Sequence, residues 1–103
     1  MGLFDDDSTQ AQQHEQLKTH TGDLSHELLA GAAAFAASRE YEKHVEKNGK
    51  PVSHADAKSL LAGFAAAFID HEVETRGLDA FDKEKAKREA AKQTHEAVAG
   101  DYE

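Results

Sequence analysis

One near-repeat restricts the fold of this chain more than any other feature. Leu28-Leu29-Ala30-Gly31-Ala32-Ala33-Ala34-Phe35 returns as Leu60-Leu61-Ala62-Gly63-Phe64-Ala65-Ala66-Ala67-Phe68. Each copy opens a stretch of helical periodicity that closes on Val-Glu-x-x-Gly, at Val45 to Gly49 and at Val73 to Gly77. Small residues at matched places let two helices lie close together. The linking segment, Asn48-Gly49-Lys50-Pro51-Val52, is short enough to make them antiparallel. A hairpin symmetric about Pro51 sets Phe35 opposite Ala67, Phe68 opposite Ala34 and Gly31 opposite His71. Large then meets small at each level. Gly31 and Gly63 fall inside helices, where glycine costs about 1 kcal/mol relative to alanine. Both therefore point to a bulky neighbour at close range.

The rest of the chain reads as helix too. β-branched residues are scarce and Pro51 is the only proline. A short helix is predicted over residues 9–20, with only Ala11, His14 and Leu17 for a face. Thr21-Gly22-Asp23 breaks it. Ser25 or Asp23 then caps a helix to Asn48, stopped by Gly49 in the left-handed conformation. Its stripe is Leu24, Leu28, Gly31, Phe35, Ser38, Glu42 and Val45, with Tyr41 alongside. Ser53 and Asp56 have the form of a capping box for a helix to Arg76, stopped by Gly77. That helix has the stripe Ala57, Leu61, Phe64, Phe68, His71, Thr75 and a second apolar flank at Ala62, Ala66, Ile69 and Val73. Asp79 is the expected cap of a last helix over 80–99, anchored by Phe81, Ala91 and Val98. Residues 1–9 and 100–103 read as frayed ends. The expected fold is all-α: an antiparallel hairpin, a third helix and a short N-terminal helix, in one three- or four-helix bundle spanning 1–103.

Composition narrows the function. Twelve basic residues against twenty acidic ones leave a net charge of −8. That balance disfavours nucleic acid and anionic membrane as partners. Seven histidines offset part of it on acidification. The chain has no cysteine, which removes disulfide and thiol chemistry. The first twenty residues lack the apolar core of a signal peptide, so a cytoplasmic location is expected. Large core formers are few, which favours burial against a second copy. A homodimer is expected, with Ala62, Ala66, Ile69 and Val73 at the contact.

Motifs for chemistry are sparse. His71 is the leading ligand-binding candidate, on the stripe with Phe68 and opposite Gly31, with Phe35 nearby. Its plainer reading is a buried ring held by a carboxylate such as Glu42 or Glu27. His14-Glu15, His26-Glu27, His71-Glu72 and His95-Glu96 are adjacent pairs, which diverge by about 100° on a helix and do not chelate. No His-Glu-x-x-His and no Glu-x-x-His occurs. His26 and His71 remain the candidate metal ligands, and His20, His26, His54 and His95 converge only if helix ends meet. No phosphate loop or serine elbow is present, so no catalytic residue and no cofactor is assigned. The run Lys83, Lys85, Lys87, Arg88 and Lys92 alternates with acids and reads as a solvated face.

Four strings carry a resemblance. They are His-Glu-Leu-Leu-Ala-Gly-Ala-Ala-Ala-Phe at 26–35, Gly-Lys-Pro-Val-Ser-His at 49–54, Leu-Leu-Ala-Gly-Phe-Ala at 60–65 and Glu-Thr-Arg-Gly-Leu-Asp at 74–79. With Asp-Lys-Glu-Lys-Ala at 82–86, they resemble the fungal CipC-like family of concanamycin-induced, antibiotic-response proteins. The similarity spans residues 22–95. It implies a small, soluble stress-response protein and brings no catalytic residues. The expected function is non-enzymatic and works through self-association or partner binding. The alternative is a small-ligand or metal-binding helical protein that uses a histidine on its apolar face.

Overall fold

Each helix begins on a side chain that takes up a free backbone N–H. The computed structural model describes residues 3–4, 8–19, 25–77 and 81–100. Ser8 Oγ accepts from the Ala11 amide at 3.1 Å and opens α1, Thr9–Thr19. Ser25 Oγ accepts from Leu28 at 3.0 Å and opens α2, His26–Asn48. Ser53 Oγ accepts from Asp56 at 3.1 Å and opens α3, His54–Arg76. Asp82 Oδ1 accepts from Lys85 at 3.1 Å and opens α4, Lys83–Ala99. The last helix thus starts later than the sequence suggests, because Asp82 is the residue whose carboxylate reaches a first-turn amide. Asp79, Leu78, Leu24, Asp23, His20 and the tail 101–103 lie outside the described residues. Leu3 also departs from expectation: it packs, half-buried, against the core.

Both long helices stop on glycine, in different ways. Gly77 is left-handed, with φ 68° and ψ 37°, and its amide reaches back to the carbonyls of Val73 and Glu74. Gly49 has φ 83° but ψ 168°, so it is not the left-handed stop that was expected. A positive φ there still favours glycine, and the extended ψ turns the chain toward α3. Replacing the α3 cap tests this scheme. Ser53→Ala should lower stability by about 1 kcal/mol, read as a drop in the urea midpoint at constant slope. An unchanged midpoint would mean that the hydroxyl contributes nothing beyond what water supplies.

The four helices form a bundle with α2 at its centre. α2 packs against α1, α3 and α4, and α3 packs against α4. Each consecutive pair runs antiparallel. α2 is therefore covered on most sides: Leu29, Ala30, Gly31, Ala32, Ala33, Ala34, Phe35, Ala37, Ser38 and Tyr41 are all buried. Alanine is the main packing element. Ala57 and Ala65 of α3 and Ala86 and Ala90 of α4 are buried as completely as the alanines of α2. Such faces allow short interaxial distances. The larger buried groups are Leu29, Leu61, Ile69 and Val98. Two buried hydroxyls satisfy themselves on the preceding turn, Ser38 to the Phe35 carbonyl at 2.7 Å and Thr94 to Ala91 at 2.9 Å.

α3 is rotated relative to the expected stripe. Ala57, Leu61, Ala65, Ile69 and Val73 face inward, while His71 and Thr75 are exposed. The cause is the lack of phase in the sequence. Residues 60–69 contain no polar side chain, so periodicity cannot choose a face. α4 chooses it, by packing Ala86, Ala90, Thr94 and Val98 against the groove between α2 and α3. The ion pair of Lys87 with Asp70, at 2.9 Å, ties α4 to α3 on that side, and Lys83 joins at 3.5 Å. The register of the hairpin is corrected as well. Ala67 is exposed and so does not oppose Phe35, and Gly31 meets α1 rather than His71.

Candidate functional site

α1 is too polar to hold itself in place, and what holds it builds the most distinctive surface of the molecule. Ala11 and Leu17 are its buried apolar anchors. Between them His14 lies with its ring 5.3 Å from that of Phe35 and 5.9 Å from that of Phe68. Next to it, Gln13 lies over Gly31: a Cβ built there would overlap the end of the Gln13 side chain and stand 3.2 Å from its Cβ. Gly31 is thus the notch that admits α1. Arg76 closes the far end. Its Nη2 donates to the Leu17 carbonyl at 2.7 Å, and its Nε donates to Glu72 at 2.9 Å. At the other end, Gln10 donates to Gln93 of α4 at 2.9 Å.

Four candidates from the sequence are thereby sorted. Phe35 and Phe68 do flank one histidine, but that histidine is His14, and Gly31 meets the neighbouring Gln13 instead. His71 is exposed on α3 and is not in a buried site. His14 was legible only as one third of a weak amphipathic face. Arg39 carried no signal at all; its guanidinium carbon sits 4.8 Å over the Phe35 ring.

The environment disfavours the charged form of His14. Its pKa is lowered from the ordinary 6.5, first by burial and then by the charges of Lys18 and Arg39, against the opposing pull of Glu15 and Glu72. Beside it opens a cleft of about 560 Å³ between α1 and α2, lined by Ala11, His14, Glu15, Lys18, Phe35, Arg39 and Lys43. Lys18 pairs with Glu15 at 3.1 Å and Lys43 with Glu40 at 3.6 Å, both pairs well exposed.

The other histidines do not gather. His26 stacks on Phe81 at 4.4 Å, where α2 and α4 begin. His54 and His95 meet at the opposite end, where burial, then Lys58 and then His54 push His95 below 6.5 against a contact with the Lys58 backbone. The condition under which His26 would join His54 and His95 is not met: antiparallel α2 and α3 place their first residues at opposite ends. Among the described residues, no group of three or more histidines and carboxylates is placed to hold a metal ion. The interface candidates are also sorted: Ile69 and Val73 are buried within the chain, while Ala62 and Ala66 are half-buried. Among the described residues, no helix is long and apolar enough to cross a membrane.

A family model described as virulence factor CipC-like matches residues 8–101. The chain belongs to the CipC-like family. The match takes in all four helices and every residue of the α1 junction. No curated protein and no solved structure matches this CipC-like chain.

Proposed function

We propose that this protein acts without catalysis, by self-association, in a stress or antibiotic response in the cytoplasm. The family it belongs to supports the setting. The observation that supports self-association is the outer side of α3. Residues 60–69 are apolar all round the helix; α2 and α4 cover the side that carries Leu61, Ala65 and Ile69, and His14 of α1 reaches Phe68. What is left is a strip on which Gly63 and Ala67 are exposed and Leu60 and Phe64 are half-buried. A helix that is apolar all round is ordinarily buried all round.

A second copy of the chain carries the same uncovered strip, and two copies of α3 paired antiparallel across Gly63 and Ala67 cover it on both. The small residues allow the helix axes to approach. Light scattering of the full chain at tens of micromolar (~10–50 μM, a range that detects dissociation constants near 1 μM) should give the mass of two chains. Ala67→Glu should reduce it to one chain with helicity intact. A single-chain mass for the parent protein would overturn the reading.

A further inference from the structure

We propose that the end of α2 is a self-modification site. There the Asn48 side chain cyclises onto the Gly49 nitrogen and hydrolyses to aspartate and isoaspartate, at a rate set by opening of the last helical turn. Asn48 is the only asparagine in the chain, and glycine follows it. Glycine has no side chain to hinder attack by its own nitrogen, and it gives the backbone the freedom that ring closure needs. The Gly49 nitrogen, once a base has taken its proton, attacks Cγ of Asn48. The new N–Cγ bond closes a succinimide ring, and Nδ2 leaves as ammonia. Water then adds to either ring carbonyl. Opening on one side gives aspartate. Opening on the other gives isoaspartate, whose backbone runs through the former side chain. The sum consumes water, releases ammonia and oxidises nothing.

Two hydrogen bonds hold this chemistry back in the folded chain. The Gly49 N–H donates to the Val45 carbonyl at 2.8 Å, which keeps the nucleophile protonated and turned into the helix. Asn48 Nδ2 donates to the His44 carbonyl at 3.2 Å and lies 3.4 Å from His44 Nδ1, which ties the leaving group to the preceding turn. Unwinding the last turn breaks both. Residues 46–50 are all exposed, and an exposed helix end is among the segments that open at least cost. A cleft of about 430 Å³, bordered by His44, Lys47, Asn48 and Phe64, leaves the side chain open to water. The reaction runs one way. Each event puts a carboxylate at the negative end of the α2 dipole, which weakens the turn that restrained it. The extent of modification thus records how much of the time the α2 stop has been open.

Incubation of the full chain in mildly alkaline buffer, followed by ammonia release and by peptide mapping, tests this. Mapping separates Asn48 from the glutamines. The folded protein should react at Asn48 at least ~10-fold more slowly than the chain unfolded in guanidinium chloride. Glu46→Gly weakens the last turn without touching the core, since Glu46 is exposed. It should speed the folded reaction about 5-fold and leave the unfolded rate unchanged. Gly49→Ala should slow the reaction in the unfolded chain, because its methyl group crowds the attacking nitrogen. A folded rate equal to or above the unfolded one, or an unchanged folded rate in Glu46→Gly, would overturn control by the α2 stop. An unfolded chain that stays intact at residue 48, or one that reacts as fast with Gly49→Ala, would overturn the site itself.

Discussion

Gly31→Leu is expected to detach α1 while leaving the other three helices folded. Two effects compete at this position. Removing a mid-helix glycine stabilises α2 by about 1 kcal/mol. Filling the notch costs more. The first added carbon displaces the end of the Gln13 side chain, which is flexible and can swing aside. The rest of a leucine has to enter the space of the α1 helix itself, since an ideal Cβ is already 3.2 Å from the Gln13 Cβ. Overpacking of that kind costs on the order of 1–3 kcal/mol. α1 has two buried apolar anchors, Ala11 and Leu17, so it is the element that yields. Two readouts identify the outcome. Amides of α1 should lose hydrogen-exchange protection before those of α2. The His14 titration should rise toward 6.5, because the burial that lowers it is gone. A variant as stable as the parent, with His14 unmoved, would show that α1 does not rest on Gly31. Gly63 provides the contrast: a Cβ there meets nothing within 4 Å. The sequence treats the two glycines alike, and the structure separates them.

Acid should loosen the fold in two separate windows. His14 and His95 both have pKa values below the ordinary 6.5, chiefly through burial. The unfolded chain therefore binds more protons at these sites than the folded one. By linkage, stability rises with pH across their range. The contribution is fully present above pH 6.5 and is lost as the pH falls through the two lowered values. Asp70 acts later. Hydrogen bonding to Lys87 is the largest cause that lowers its pKa from 3.8, so its contribution is lost only as the pH falls below that value. The Asp70 side chain is about half exposed, so solvent screening reduces this second step. One effect runs the other way: charging the histidines reduces the net negative charge and its self-repulsion. A difference between two proteins isolates the local term. The melting temperature of the parent should fall further between pH 7.5 and pH 5 than that of His14→Phe. Phenylalanine keeps a ring between Phe35 and Phe68 and cannot take a proton. Identical pH profiles would remove His14 from the account.

The α1 junction shows how far the sequence reaches toward a site. Phe35 and Phe68 stand out as fillers on their own helices and flank one histidine, while Gly31 stands out as a notch and takes the neighbouring Gln13. The identity of that histidine was not legible. His71 sits on a better apolar pattern than His14, but a pattern without phase cannot say which side of α3 a neighbour takes. Arg39 reads as an ordinary surface cation until the fold places it over Phe35, four residues back on the same helix.

The sequence by itself determined the local order of this protein. Ser53 at the start of α3, Ser25 as one of two caps open to α2, the glycines that end α2 and α3, and the short turn that makes those two helices antiparallel all act within a few residues, so composition and spacing suffice to point to them. Only the tertiary structure decided which face of each helix looks inward. α2 is surrounded by three neighbours, and α3 is apolar all round through residues 60–69, so neither carries a stripe that points one way. The choice falls to α4 and α1, which pack where alanines and Gly31 leave room. That packing buries Ile69, exposes His71 and brings His14 to Phe35, because close contact between small side chains is a property of two surfaces together and is not written in either one alone.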